Sequence, residues 1–266
     1  VHQRRVRVYD DKPTLAAAVA ARFIKRMRET LAKKGEAHVV LTGGTMGEAV
    51  LAAVAESPHR DTVDWNRITF WWGDERYLDT GHADRNETQS RRALLDGLNL
   101  PESRIKAFPA RGEHATIDEA AAAYARELAE AASEGEAYPH FDLTFLGVGP
   151  DGHVASLFPE HAAVRDRTSV VLSETNSPKP PPERLTLTMP VINSSKRVWL
   201  VMAGSDKAGA LGLALADADP AAVPAAGVRG RSRTVFFVDK DAAAEVSESL
   251  LTRERFWTAA HELPEL

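Results

Sequence analysis

Asp151 and His153 stand two residues apart in the run Gly149-Pro150-Asp151-Gly152-His153. A carboxylate beside an imidazole can orient the ring and favour its protonated form, a pairing suited to general acid–base chemistry. The preceding run, Phe141 to Val148, is apolar and rich in β-branched and aromatic residues, and it reads as a buried strand. Gly149, Pro150, Asp151 and Gly152 then stop that strand and turn the chain. In open α/β sheets, ligands bind at the carboxyl ends of strands. A glycine-rich turn carrying a surface histidine would show the same residues, so the pair needs support from elsewhere in the chain.

That support comes from four further segments. Gly43-Gly44-Thr45 lies between a strand-like and a helix-like run. Glycines there let backbone N–H groups approach an anion, the helix N-terminus adds partial positive charge, and Thr45 adds a hydroxyl donor. Many strand–helix turns carry two glycines, so the signal is weak alone. It is neither a Walker loop nor a dinucleotide fingerprint, because the following Lys-Ser/Thr and the Gly-x-Gly-x-x-Gly spacing are both missing. Asp74-Glu75-Arg76 follows Phe70-Trp71-Trp72, so a buried strand meets either a cleft or solvent there. Arg184 opens the alternating run Leu185-Thr186-Leu187-Thr188, and Lys207 sits in the first turn expected of a helix. A cation at a helix N-terminus opposes the helix dipole and is easier to explain beside an anion. A bound phosphate needs several cations or N–H donors to offset its desolvation.

The rest of the sequence narrows the chemistry. No cysteine is present among the 266 residues, which removes disulfides, thiolate metal sites and cysteine nucleophiles and fits a reducing cytoplasm. The nine histidines form no His-x-x-x-His or His-Glu-x-x-His pattern, so no metal is expected. No Gly-x-Ser-x-Gly elbow occurs, and the flanks of Ser156 are wrong for one. The net charge of −5, with no basic block, argues against nucleic acid as a partner. No apolar run is long enough for a membrane helix, and the basic opening residues 1–7 lack the apolar core of a secretory signal.

These residues need a scaffold, and the apolar patterning supplies one. Strands are expected at 6–9, 37–42, 67–72, 141–148, 185–189, 197–202 and 234–238. Helices are expected at 12–34, 48–56, 86–95, 117–133, 206–216 and 250–260. Such alternation predicts an α/β fold, a mainly parallel sheet flanked by helices, in one domain over residues 1–266. The proline-rich run Ser177 to Pro182 reads as a surface loop.

Taken together, the motifs resemble those of the 6-phosphogluconolactonase family. Residues 147–159, Gly-Val-Gly-Pro-Asp-Gly-His-Val-Ala-Ser-Leu-Phe-Pro, look like its signature. Leu41-Thr42-Gly43-Gly44-Thr45, Trp72-Gly73-Asp74-Glu75-Arg76 with Asn86, Arg184 to Thr188, and Gly204 to Lys207 follow in the family's order. The resemblance implies a Rossmann-like fold similar to that of glucosamine-6-phosphate deaminase. It also implies hydrolysis of 6-phosphoglucono-δ-lactone in the oxidative pentose phosphate pathway, without metal or organic cofactor. His153 and Asp151 would be catalytic, and Gly43, Gly44, Thr45, Asp74, Arg76, Arg184 and Lys207 would bind substrate. The deaminases carry a ring-opening glutamate five residues past the histidine, where this chain has Phe158. The family's glycine loop usually continues with a hydroxyl residue and proline, whereas Met46 and Gly47 stand here. A silent sugar-phosphate sensor on the same fold would have no need of the Asp151–His153 pair.

Overall fold

The computed structural model describes residues 3–254. Six strands form a wholly parallel central sheet: β1 (Gln3–Tyr9), β2 (Ala37–Leu41), β3 (Ile68–Trp72), β5 (Leu143–Gly147), β8 (Arg197–Met202) and β9 (Arg233–Asp239). Their spatial order is β1-β9-β8-β5-β2-β3. From β2 the chain moves outward to β3, while from β5 it moves the opposite way through β8 to β9. The order therefore reverses between β2 and β5, and a crevice opens beyond their carboxyl ends.

A second sheet is small and antiparallel, in the order β4-β7-β6: β4 (Asp74–Arg76), β7 (Arg184–Leu187) and β6 (Val171–Glu174). One residue, Gly73, joins the two sheets. Its N–H donates to the Leu41 carbonyl (3.1 Å), and its own carbonyl accepts from the Leu187 N–H (2.8 Å).

Helix α1 (Lys12–Lys34) shows how local sequence sets an element. The Asp11 carboxylate accepts from the Thr14 N–H at 2.8 Å, Pro13 occupies the first turn, and Gly35 closes the helix at φ 81°. Leu15, Val19, Phe23, Ile24 and Met27 form its buried stripe, each contributing about 1.5–3 kcal/mol on burial. The edge of Phe23 meets the Phe145 ring at 5.2 Å, fixing the helix over β5. α2 (Gly44–Glu56) packs against α1 and β5, α3 (Asn86–Ala93) against α2 and β4, and α4 (Ile117–Glu130) on β6. α5 (Ala162–Arg165) and α6 (Met189–Asn193) are short connectors, while α7 (Ala208–Leu215), α8 (Lys240–Ala243) and α9 (Glu248–Glu254) close the other end of the sheet.

The parallel α/β expectation holds, with instructive local differences. The run expected as a strand at 185–189 belongs to the antiparallel sheet, next to β6, which carries no clear alternation. Asp74 to Arg76 is a strand in its own right, not just a strand end. α2 starts at Gly44, four residues earlier than expected, because the glycines form the helix entry instead of breaking it. The helix expected from Asp206 opens as a 3₁₀ turn over Ser205–Lys207. The last helix begins at Glu248, and residues 255–260 of the expected run lie outside the described residues.

Candidate active site

The turn after β5 is built around His153. Gly149 donates to the His153 carbonyl (3.0 Å) and Gly152 to the Gly149 carbonyl (2.9 Å), with Gly152 at φ 85°. Asp151 Oδ1 accepts from the His153 backbone N–H (3.1 Å) and lies 2.5 Å from its Nδ1. The imidazole lies so close to Gly149 that a Cβ there would stand 2.2 Å from ring atoms Cε1 and Nδ1. Burial alone would raise the Asp151 carboxyl. The hydrogen bonds and charge of His153, with help from Lys179, outweigh it and hold the group at about 2. An ionised carboxylate only accepts, so Nδ1 carries the shared proton and Nε2 is left for chemistry.

Phe158 is fully buried between two functional groups. Its ring centroid is 4.7 Å from that of His153, and the Arg184 guanidinium carbon lies over the same ring, 5.6 Å from its centroid. A cation held over an aromatic face is favourable. Arg184, itself only 3% exposed, also donates to the carbonyls of Lys179, Pro180 and Pro181 at 3.1, 3.1 and 3.2 Å. The proline-rich loop is thereby tied to the site. Burial pulls the Arg184 guanidinium below its usual value, while Asp74 pulls it back up.

The second sheet forms one wall. Arg76 and Arg184 face each other in the β4–β7 register. Arg76 Nη1 donates to the Asp84 carbonyl (2.9 Å), but its Nε is buried without a partner. Asp74 accepts from Ser156 Oγ at 2.7 Å, which ties the wall to the His153 turn. Asn86 Nδ2 donates to the Asp74 carbonyl (2.9 Å), and Asn86 Oδ1 faces Gly43 so closely that a Cβ there would stand 1.8 Å away. Glu75 anchors this wall from behind, accepting backbone N–H groups of Arg76, Asn86 and Glu87 at 2.8, 2.7 and 2.9 Å.

The glycine loop is the floor, at the switch between β2 and β5. Gly43 caps α2, and Gly44 takes φ 81°, where a side chain would be strained. The departure at Gly47 has a steric reason. A Cβ there would stand 2.5 Å from the Thr42 carbonyl, so the helix entry in this chain is built for glycine.

These parts enclose a cleft of 340 Å³. Gly43, Gly44, Thr45, Asp74, Arg76, His153, Arg184 and Lys207 all line it, while Asp151 stands behind His153. Lys12, Lys179 and Asp206 join them, making five basic side chains against two acidic ones. The cleft is thus cationic although the chain carries −5 overall. Burial lowers the Lys207 ammonium, and Asp206 raises it. Lys12 and Lys179 escaped the sequence reading. Lys12 follows the carboxyl end of β1, the kind of position that had singled out the other residues; Lys179 was hidden among prolines. Among the described residues, no three His, Cys, Asp or Glu side chains are grouped to hold a metal. No described helix is long and apolar enough to cross a membrane.

The chain is similar to known proteins along most of its length. The family model described as glucosamine-6-phosphate isomerases/6-phosphogluconolactonase matches residues 10–237. The 6-phosphogluconolactonase of Streptomyces coelicolor is 49% identical over 247 residues, covering 91% of this chain and 95% of that protein. The enzyme of the same name from Mycobacterium tuberculosis is 40% identical over 243 residues, covering 91% and 98%. The crystal structure of 6-phosphogluconolactonase from Thermotoga maritima superposes with a TM-score of 0.77 at 29% identity, over 90% of this chain and 100% of that one. A monomeric glucosamine-6-phosphate deaminase, at 20% identity and a TM-score of 0.73 over 90% and 99% of the two chains, shares the fold. The chain belongs to the glucosamine-6-phosphate isomerase/6-phosphogluconolactonase family.

Proposed function

We propose that this chain hydrolyses 6-phosphoglucono-δ-lactone to 6-phosphogluconate. The observation that carries the reading is an imidazole whose Nδ1 is held by an ionised carboxylate at the mouth of a cationic cleft. His153 Nε2 takes a proton from water as the water oxygen attacks the lactone carbonyl carbon. The tetrahedral intermediate then collapses, the ring C–O bond breaks, and the proton passes from His153 to the departing ring oxygen. The products are a carboxylic acid, which ionises, and a free hydroxyl. Proton transfer of this kind contributes about 10²–10⁴-fold in rate.

Gly43, Gly44, Thr45, Arg184 and Lys207 hold the phosphate, supplying orientation energy away from the reacting carbon. Arg76 binds substrate through its unpartnered side. Phe158 supports the lactonase over the deaminase reading, because an apolar ring fills the space between His153 and Arg184 and offers no ring-opening acid.

The test is hydrolysis of freshly generated lactone, measured above its spontaneous rate and with EDTA present. Rapid turnover in the wild type and a loss of about 10²-fold or more in kcat for His153→Ala, with 6-phosphogluconate still bound, uphold the reading. A His153→Ala variant with nearly normal kcat removes the imidazole from the base role. No acceleration by the wild type removes the lactonase activity itself.

A further inference from the structure

Ser156 lies three residues past His153 and is fully buried, out of reach of substrate. The turn from Val154 to Leu157 sends it there. The Leu157 N–H donates to the Val154 carbonyl at 2.9 Å, and Ala155 between them takes φ 48°. Few non-glycine residues adopt that left-handed conformation, and such strain gathers at functional sites. Ala155 lines the cleft, while Ser156 turns into the wall. The Ser156 N–H donates to Thr186 Oγ1 on β7 at 3.2 Å, and its Oγ donates to Asp74 Oδ2 on β4 at 2.7 Å.

Asp74 is the group on which that hydroxyl acts. It lines the cleft but is only 7% exposed. A carboxylate offers about four acceptor positions. Among the described residues, Oδ2 takes the Ser156 hydroxyl, and Oδ1 meets the Asn86 amide at a weak 3.5 Å. That amide makes its shorter bond, 2.9 Å, to the Asp74 carbonyl. Arg184 is close enough to feel the Asp74 charge, yet it gives its N–H groups to three loop carbonyls. A buried carboxylate with acceptor capacity to spare calls for a donor from the ligand. It repels a phosphate and a developing oxyanion alike, so the donor is a neutral hydroxyl.

We propose that Ser156 is a positioning residue for sugar recognition: it holds Oδ2 of Asp74 so that Oδ1 accepts from one hydroxyl of the lactone ring. This role rests on the lactonase reading and falls to a residue that does not touch substrate. A lactone lacking that hydroxyl leaves Oδ1 buried and unpaired, and the site discriminates against it.

The test compares kcat and KM for 6-phosphoglucono-δ-lactone with those for its 2-deoxy, 3-deoxy and 4-deoxy analogues, each corrected for spontaneous hydrolysis. The wild type is expected to turn over at least one analogue less efficiently, by about 10–10²-fold in kcat/KM. In Ser156→Ala that penalty shrinks to about threefold or less, because the parent lactone loses efficiency while the analogue has no such bond to lose. Asp74→Asn puts an amide where the carboxylate stood and loses the same penalty, and adding Ser156→Ala to it changes nothing more. Ser156→Cys keeps the shape with a weak donor and retains part of the penalty; it decides the matter if the alanine variant fails to fold. A serine that merely supports the fold would slow all four lactones alike, and unchanged ratios in both Ser156 variants overturn the proposal. So does a wild type that hydrolyses all four equally well, which leaves the lactonase reading intact. A wild type inactive on all four removes that reading and this role with it.

Discussion

Gly149→Ala puts one methyl group where the His153 ring now lies. The new Cβ would stand 2.2 Å from Cε1 and Nδ1 of His153 and 2.6 Å from Asp151 Oδ1. Comfortable carbon contacts begin near 3.5 Å, so the ring must retreat by about 1.3 Å. The Asp151 carboxylate is crowded by the same methyl, so the 2.5 Å hydrogen bond cannot follow the ring. A misplacement of about 1 Å costs roughly 10²-fold, so kcat is expected to fall by about that factor. KM is expected to stay within about threefold, because the phosphate-binding residues are on other segments. The fold tolerates the change: Gly149 is not among the glycines at positive φ, so alanine fits its backbone and restricts the unfolded chain. The assay is lactone hydrolysis corrected for the spontaneous rate, with a thermal melt of each variant. Gly147→Ala is the control, since its Cβ would meet only Thr42 Oγ1 at 3.9 Å. If Gly149→Ala melts like the wild type and keeps kcat within about threefold, the His153 position described here is not the catalytic one.

Lys207→Ala is expected to raise KM about tenfold or more with a smaller change in kcat, since it removes a charged contact remote from the carbonyl; an equal loss in kcat alone would refute the phosphate assignment. Arg76→Lys separates two duties for that residue: a change confined to KM places it on the phosphate, and a fall in kcat at constant KM places it on the developing oxyanion. Glu75 gives a pH signature. Burial drives its carboxyl from 4.5 up to about 7 against the pull of Arg85 and three backbone N–H groups. The folded chain therefore holds the proton more tightly than the unfolded one, and stability falls as pH rises from about 4.5 to about 7, then levels. In Glu75→Gln, denaturant unfolding between those limits is expected to lose that component of the slope; identical slopes in both proteins would refute it.

Regular elements were legible where one sequence signal dominated. The bounds of α1 match the Ala-rich periodic run from Lys12 to Lys34, and Gly35 closes the helix where its conformational freedom suggests. β8 likewise matches its apolar run. The second sheet was harder to read. β4 has three residues, all charged, and β6 and β7 gain their meaning only from pairing with each other. Site residues at strand ends could be singled out because the parallel order sends those ends to one edge. Sequence could not show that Asp74 is gripped by Ser156, that the proline-rich loop holds Arg184 through its carbonyls, or that Gly47 has no room for a side chain. Only the first joins segments far apart in the chain; the other two are local and depend on a backbone path that residue types alone do not specify.

Gly73 has a mechanical consequence. It hydrogen-bonds to Leu41 of the central sheet and to Leu187 of the small one, so floor and wall share a single peptide splice. The wall cannot swing away from the floor without rupturing one of those bonds. The segment Lys179 to Pro181, by contrast, is held to the wall by the guanidinium of a single residue, Arg184. Floor and wall thus form one frame whose geometry is set by the fold before any substrate arrives.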